Sequence, residues 1–168
     1  YRNIDRTQIQ FDFLVHREGC YDYDKEISQL GGNIYHIRPI SPKDFRDYLQ
    51  DLKRFFSEHK EYKIVHSHLD ALSSFVLLEA KYAGIPVRIA HSHNTAFPKD
   101  KKYFLRFLSK YLLPFGATHY FACSQEAASF LFPKSIAKLK CRVITNAIEL
   151  DRFRFNFNIR EEKRQELG

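Results

Sequence analysis

Two histidine triplets are the features of this chain best suited to chemistry. Each His-Ser-His sequence follows a short apolar run, at residues 66–68 and at residues 91–93. One helical period separates the two triplets, and strands joined by a crossover helix end on the same side of a parallel sheet. We therefore expect both triplets to lie side by side on the carboxyl edge, where open α/β sheets bind ligands.

The individual side chains around these triplets allow more than one role. His91 lies two residues before His93, on the same face of its strand, where it could bind substrate or pack inside and bond a neighbouring backbone group. Asn94 could contact a ligand or cap the following loop, and we favour the cap. Strand-end imidazoles could also bond loop carbonyls. The candidate substrate-binding residues are His66, His68, His91, Asn94 and Ser124, of which Ser124 is also expected to cap a helix.

Two other classes of function remain open from these residues. Two His-x-His pairs can supply three or four nitrogen ligands to Zn²⁺, which would fit a metal-dependent hydrolase. Apart from Asp70, however, no carboxylate is placed to orient such ligands, so we expect no metal site. The third possibility is a non-catalytic α/β binding module that docks a partner through its basic surface.

Composition limits the class of protein. The 168 residues fit one domain, with 44% hydrophobic and 28% charged residues and a net charge of +7, which favours anionic partners. The basic residues are spread along the chain without a nucleic-acid-binding motif, so we expect no nucleic-acid partner. The odd number of cysteines, at Cys20, Cys123 and Cys141, predicts reduced thiols and a cytoplasmic location.

Apolar periodicity predicts an α/β fold, with an open parallel sheet and helices on both of its faces. The predicted strands are residues 9–15, 34–37, 62–65, 87–90, 120–123 and 141–145, and helical patterns lie between them. Ser41 and Pro42 predict the start of the second helix, and Asp70 is placed to cap the third. The pattern changes after residue 145. We therefore assign residues 1–145 to one domain and residues 146–168 to an exit segment, with Asn146 as hinge and a helix at 160–167.

A second candidate feature is a basic, aromatic segment predicted as a helix over residues 99–113. Its aromatic and leucine side chains recur at helical spacing, and the favoured interpretation is a crossover helix with that face in the core. The alternative is that its basic face rests on an anionic membrane. The candidate membrane-facing residues are Lys99, Lys101, Lys102, Arg106 and Lys110.

Four sequence stretches, in this order and spacing, resemble one enzyme family. They are IVHSH (64–68), GIPVRIAHSHNT (84–95), FACS (121–124) and VITNAIELDRF (143–153). Together they are similar to the amino-terminal domain of group 1 (family 4) retaining glycosyltransferases of the GT-B fold, especially the bacterial capsule and exopolysaccharide enzymes. The exit motif differs, because Ala147 and Glu149 stand where the family has glycine and aspartate.

The resemblance implies a Rossmann-like half of a GT-B enzyme on the acceptor side, lacking the first strand and glycine-rich loop and the donor-binding domain. It implies that His93 is catalytic and faces the donor sugar. It also implies that the full-length enzyme uses a UDP- or GDP-sugar donor and that this chain alone binds no cofactor. The implied acceptor is a saccharide or a lipid-linked saccharide. We therefore expect a cytoplasmic transferase, peripheral to the inner face of the membrane, and a 168-residue chain that is inactive by itself.

Overall fold

The fold is an alternation of strands and helices. The computed structural model describes residues 1–17, 19 and 21–168, apart from the side chain of Arg152. The strands in this part of the chain are β1 (Phe13–Val15), β2 (Ile34–His36), β3 (Ile64–Ser67), β4 (Val87–Ser92), β5 (His119–Ala122) and β6 (Cys141–Val143). The α-helices are α1 (Asp24–Gln29), α2 (Phe45–Glu58), α3 (Ser73–Tyr82), α4 (Tyr103–Ser109), α5 (Leu113–Gly116), α6 (Gln125–Leu131), α7 (Lys134–Leu139) and α8 (Phe157–Leu167).

All strand pairings are parallel, and the predicted α/β, Rossmann-like class is confirmed. The strands form a two-stranded sheet, β1-β2, and a four-stranded sheet in the order β3-β4-β5-β6. The predicted single sheet is thus divided in two, since β3 is the edge of the larger sheet and β1 pairs only with β2 among the described residues. An apolar cleft of about 260 Å³, lined by residues of both β1 and β3, lies between the sheets.

Two apolar clusters hold the helices on the sheet. One is centred on Tyr48, Leu52 and Phe56 of α2, which are 0 to 2% exposed, and it packs against α3. The other joins Leu77 of α3 to buried side chains of α5, α6 and β5. Here Gly116 lets α5 approach α3 closely, because a Cβ at that position would lie 3.0 Å from the backbone of Leu77. These contacts fix the strands that carry the histidines.

The predicted start signals of two helices were wrong. Helix α2 begins at Phe45, and Ser41 caps no helix but accepts a hydrogen bond from the Lys43 amide in the preceding turn (3.3 Å). Asp70 does not cap α3 either; it begins a 3-10 helix at residues 70–72 that leads into α3. In both cases the polar side chain bonds a loop instead of the first amides of the helix.

The basic segment is not one long helix. Residues 99–102 precede α4, which ends at Ser109, and a 3-10 helix at 110–112 leads into the short α5. Pro114 lies inside α5, where the first turn tolerates proline, instead of ending the helix. The face predicted to be in the core is exposed, with Phe104 at 77% and Leu108 at 61%, while Leu105 and Ser109 face the protein.

Smaller differences concern the ends of the chain. Strand β1 covers only the last part of the predicted 9–15 strand, and β6 ends at Val143. The exit segment contains a 3-10 helix at 150–153, and α8 begins at Phe157 with the Asn156 side chain as its cap. In the described part of the chain no helix combines the length and apolarity that a membrane span needs. Cys123 and Cys141 are unpaired thiols as predicted, whereas Cys20 lies outside the described residues.

Candidate functional site

The four imidazoles of the two triplets form one cluster at the carboxyl ends of β3 and β4. Strand β3 pairs in parallel with β4, placing His66 opposite Ile89. Ring centroids are 4.2 Å apart between His66 and His68 and between His91 and His93, and 5.0 to 5.1 Å apart across the two strands. The expected side-by-side placement is therefore confirmed. We call these four side chains the imidazole cluster.

The rings are joined in pairs across the strands. His66 Nε2 lies 3.0 Å from His91 Nδ1, and His68 Nδ1 lies 2.8 Å from His93 Nε2. Phe121 of β5 closes one side of the cluster with edge contacts to His66 and His91. The hydrogen bonds recorded for these imidazoles thus join ring to ring, and not to the backbone or loop carbonyls that were the structural alternatives.

His91 is the buried member of the imidazole cluster. It is 7% exposed, and its Nε2 atom has no hydrogen-bond partner among the described residues. A buried polar atom without a partner costs free energy and marks a position where a ligand would be stabilising. The structure packs His91 inside, as one of the two interpretations predicted, and its role in substrate binding stays a prediction.

Desolvation and neighbouring rings disfavour the charged form of three histidines in the imidazole cluster. Loss of water around the ring, reinforced by the neighbouring imidazoles, lowers the pKa of His66 from 6.5 to about 4. The same causes lower the pKa of His91 to about 4, and desolvation followed by the proximity of His93 lowers the pKa of His68. These three rings are neutral at pH 7, so each offers one N–H donor and one nitrogen lone pair.

A serine pair fixes the loop that leaves β3. Ser67 donates from its hydroxyl to Ser73 Oγ (2.9 Å), and Ser73 Oγ accepts from the Leu69 amide (3.1 Å). Both serines are buried. The segment that carries His68 and Asp70 is therefore anchored to the start of α3.

Asp70 is a site residue whose role sequence reasoning missed. Its backbone has φ +47°, the only positive φ at a described residue other than glycine. Its carboxylate accepts a hydrogen bond from the His93 amide (2.9 Å) and another from the Asn94 side chain. A strained aspartate that bonds the neighbouring strand end is a feature of positioned sites. Asn94 therefore bonds Asp70 instead of capping its own loop as predicted.

Residues that follow β5 contact the end of β4, which carries His91 and His93. Ser124 caps α6 as predicted, because its hydroxyl accepts from the Ala127 amide (3.2 Å). The buried Ser92 donates to the Ala127 carbonyl (2.9 Å), and the Cys123 thiol lies 3.5 Å from the His93 carbonyl. These contacts connect Ser124 to the end of β4. The predicted hinge Asn146 is exposed beyond β6, and its role stays a prediction.

The cleft between the sheets opens at the imidazole cluster. His66, Ser67 and His68 line it together with His16 at the end of β1. His16 Nε2 lies 3.1 Å from the Tyr48 hydroxyl, and burial lowers the pKa of the ring. His16 lies at the cleft because the end of β1 packs against α2. This is a long-range contact, so nothing in the sequence distinguishes His16 from other strand-end histidines.

The basic segment lies next to this edge, since α4 packs against the 3-10 helix that begins at Asp70. Lys99 and Lys101 are exposed, and Lys102, Arg106 and Lys110 are half-buried. Arg106 forms an ion pair with Asp100 (2.6 Å), and Lys110 lies over the rings of Phe107 and Tyr111. The structure thus brings a basic and aromatic surface beside the imidazole cluster.

Comparison with known proteins identifies the family of this chain. The model of Glycosyltransferase Family 4 matches residues 2–152. A Bacillus subtilis (strain 168) protein described as "Putative glycosyltransferase EpsF" is 32% identical over 174 residues, covering 100% of this chain and 45% of that protein. The chain therefore spans less than half the length of this relative.

Solved structures show the same fold. Crystal structures of Alr3699/HepE from Anabaena, in complex with UDP and with UDP-glucose, superpose with TM-scores of 0.66 and 0.64. Their sequence identities to this chain are 15% and 14%, and the match covers 94% of this chain and 42% of theirs. With the family model matching most of its length, the chain belongs to glycosyltransferase family 4.

Proposed function

We propose that this chain is the acceptor-side domain of a retaining glycosyltransferase that acts in cell-surface polysaccharide synthesis, of the capsule or exopolysaccharide type. The enzyme moves a sugar from a UDP- or GDP-sugar to a saccharide or lipid-linked acceptor. The observation that carries the proposal is the imidazole cluster on the carboxyl edge of a family 4 chain. Alr3699/HepE, which has the same fold, was crystallised with UDP and UDP-glucose, which supports a nucleotide-sugar donor.

His93 is the catalytic residue in this proposal. Its Nε2 atom faces His68 Nδ1, so a ring that accepts there carries its proton on Nδ1 and can donate it to a sugar oxygen. Asp70 positions the residue through its main-chain amide. A donor held in this way stabilises charge in the transition state without having to reorganise during the reaction.

The other site residues bind substrate around His93. His66, His68 and His91 present a neutral surface that suits sugar hydroxyl groups, since each uncharged ring both donates and accepts. Asn94 is exposed, and its amide is oriented by Asp70. Ser124 stands at the carboxyl end of the next strand, where an acceptor or donor group can reach it.

The domain division is part of the same proposal. Residues 1–145 form the acceptor-side domain, and residues 146–168, with Asn146 as hinge, lead to a second domain outside this chain that binds the nucleotide. We place the first strand that the family resemblance implies in the cleft between β1 and β3. The open edges of both strands line that cleft, and Ile64 of β3 is 57% exposed there.

The test compares two purified proteins. The complete gene product is expected to transfer sugar from a UDP- or GDP-sugar to acceptor, whereas residues 1–168 alone are not, because the donor site lies outside them. Hydrogen exchange is the folding control: amides of β4 and β5 should be protected in both proteins, and those of β1 and β3 more strongly in the complete one. Transfer by the 168-residue chain, or no transfer by the complete protein with any donor, would contradict the proposal.

We also propose that the basic segment rests on an anionic membrane, at the cytoplasmic face, and brings the site to a lipid-linked acceptor. Four apolar side chains of this surface are 55 to 77% exposed: Phe104, Leu108, Tyr111 and Phe115. Lys99 and Lys101 are exposed just before α4, and no ion pair is recorded for either in the described part of the chain. Exposed aromatic side chains bordered by lysine are typical of surfaces that lie in the membrane interface.

Liposome sedimentation tests this surface. Replacing Lys99 and Lys101 with glutamate is expected to reduce binding to vesicles with anionic lipid roughly 10-fold or more, because each basic residue near such a surface contributes about 1 kcal/mol. The double substitution Lys134→Glu and Lys138→Glu on α7 is the charge-matched control and should reduce binding much less. Equal sedimentation with neutral and anionic vesicles would exclude the membrane surface.

A further inference from the structure

Three members of the imidazole cluster have the arrangement of metal ligands. His66, His68 and His91 can each present one ring nitrogen so that all three atoms lie within 4.8 Å of one another. We propose that these three histidines bind a transition-metal ion of the Zn²⁺ class. This inference does not depend on the proposed transferase activity. In the metal-bound protein the three ring nitrogens coordinate the ion, and His93 and Asn94 remain available for sugar contacts. The inference replaces the sequence-based expectation that no metal binds here.

The donor atoms can be named for two of the three rings. His91 Nε2 is buried and unpartnered, so with the ring proton on Nδ1, facing His66, it presents a bare lone pair. His68 Nδ1 lies 2.8 Å from His93 Nε2, and a proton donated there leaves the lone pair on His68 Nε2. His66, which is exposed, supplies the third nitrogen when its ring turns from His91 toward the ion.

The hydrogen bond between His68 and His93 has the form that metal sites use. A ligating histidine commonly donates its other N–H to an acceptor that fixes the ring orientation, and His93 Nε2 is such an acceptor. The expectation against a metal rested on the lack of a nearby carboxylate. Three imidazole ligands can hold Zn²⁺ without a carboxylate ligand. They leave one coordination position open for water or another ligand.

The choice of metal follows from the ligand type. Imidazole nitrogen suits Zn²⁺, Cu²⁺ and Ni²⁺, whereas Mg²⁺ and Ca²⁺ require oxygen ligands. Zn–N distances of about 2.0–2.1 Å place tetrahedral ligand atoms closer together than 4.8 Å, so the three rings must rotate toward the ion when it binds.

Calorimetric titration with Zn²⁺ tests the site on the complete gene product, purified without a histidine tag and freed of metal by a chelator. One ion per chain is expected at this site, with affinity reduced at least about 10-fold by His66→Gln and by His91→Gln. His119→Gln, an exposed histidine at the start of β5, is the control and should bind as the parent does. Circular dichroism verifies that each variant is folded.

Titration with Co²⁺ provides a second readout, because its visible absorption bands report the coordination number and geometry of the bound ion. Bands that appear with the parent and with His119→Gln, but not with His66→Gln or His91→Gln, would support the site. Absence of binding by the parent would overturn the proposal, as would equal affinity in the parent and in both cluster variants. Neither readout involves sugar transfer, so the two proposals fail or hold separately.

Discussion

Replacing His93 with alanine in the complete protein is expected to lower the rate of sugar transfer by about 100-fold, the cost of losing one positioned hydrogen-bond donor at a reacting centre. The ring is half-buried at the end of β4, where Asp70 holds its amide and His68 its Nε2 atom. The loss should appear in kcat more than in KM, because the donated hydrogen bond strengthens as charge develops in the transition state.

Two variants show whether that loss is specific to the catalytic role. His93→Gln keeps an N–H donor and should retain more transfer activity than His93→Ala. His119→Gln removes an exposed imidazole at the start of β5, outside the site, and should leave the rate unchanged. Initial rates with a labelled nucleotide sugar measure all three. A His93→Ala rate within a few-fold of the parent would remove His93 from the mechanism.

Sequence alone was sufficient to predict the cluster because its geometry follows from topology. Parallel strands joined by a crossover helix end on one side, so residues at the ends of β3 and β4 must be neighbours. The period of two along each strand then places His66 with His68, and His91 with His93, on one face. No side-chain detail was needed for this step.

The position of Asp70 could not be obtained in the same way. An aspartate before a helix is more often a cap, and the choice here was made by long-range contacts with His93 and Asn94. The prediction of which face of the basic segment is buried was wrong for a related reason. Its periodicity predicts a buried face, but Leu105 and Ser109 meet the protein and leave Phe104 and Leu108 in water. Periodicity gives the spacing of a face, and tertiary packing decides which face is covered.

Lowering the pH from 7 to 4.5 is expected to reduce the free energy of unfolding of the metal-free protein, with about 2 kcal/mol of the loss due to His91. The pKa of His91 is about 4 in the folded state and about 6.5 when unfolded, so the unfolded chain binds more protons between these values. The contribution of uncharged His91 to the free energy of unfolding is therefore fully present above pH 6.5 and is lost as the pH falls toward 4. Protonation of His66 is expected to lower the free energy of unfolding in the same direction but by less, because its ring is exposed to water.

Desolvation of the His91 ring is the main cause of this loss. His93 and His68 also disfavour the charged form of His91, and Asp70 favours it. Urea unfolding of the parent and of His91→Gln, at several pH values with a chelator present, isolates the contribution because glutamine does not titrate. The difference in stability between the two proteins should change by about 2 kcal/mol, in favour of the variant, as the pH falls from 7 to 4.5. Parallel curves would mean that His91 titrates normally and that the cluster does not exclude charge, which would also remove the neutral surface on which the proposed sugar contacts depend.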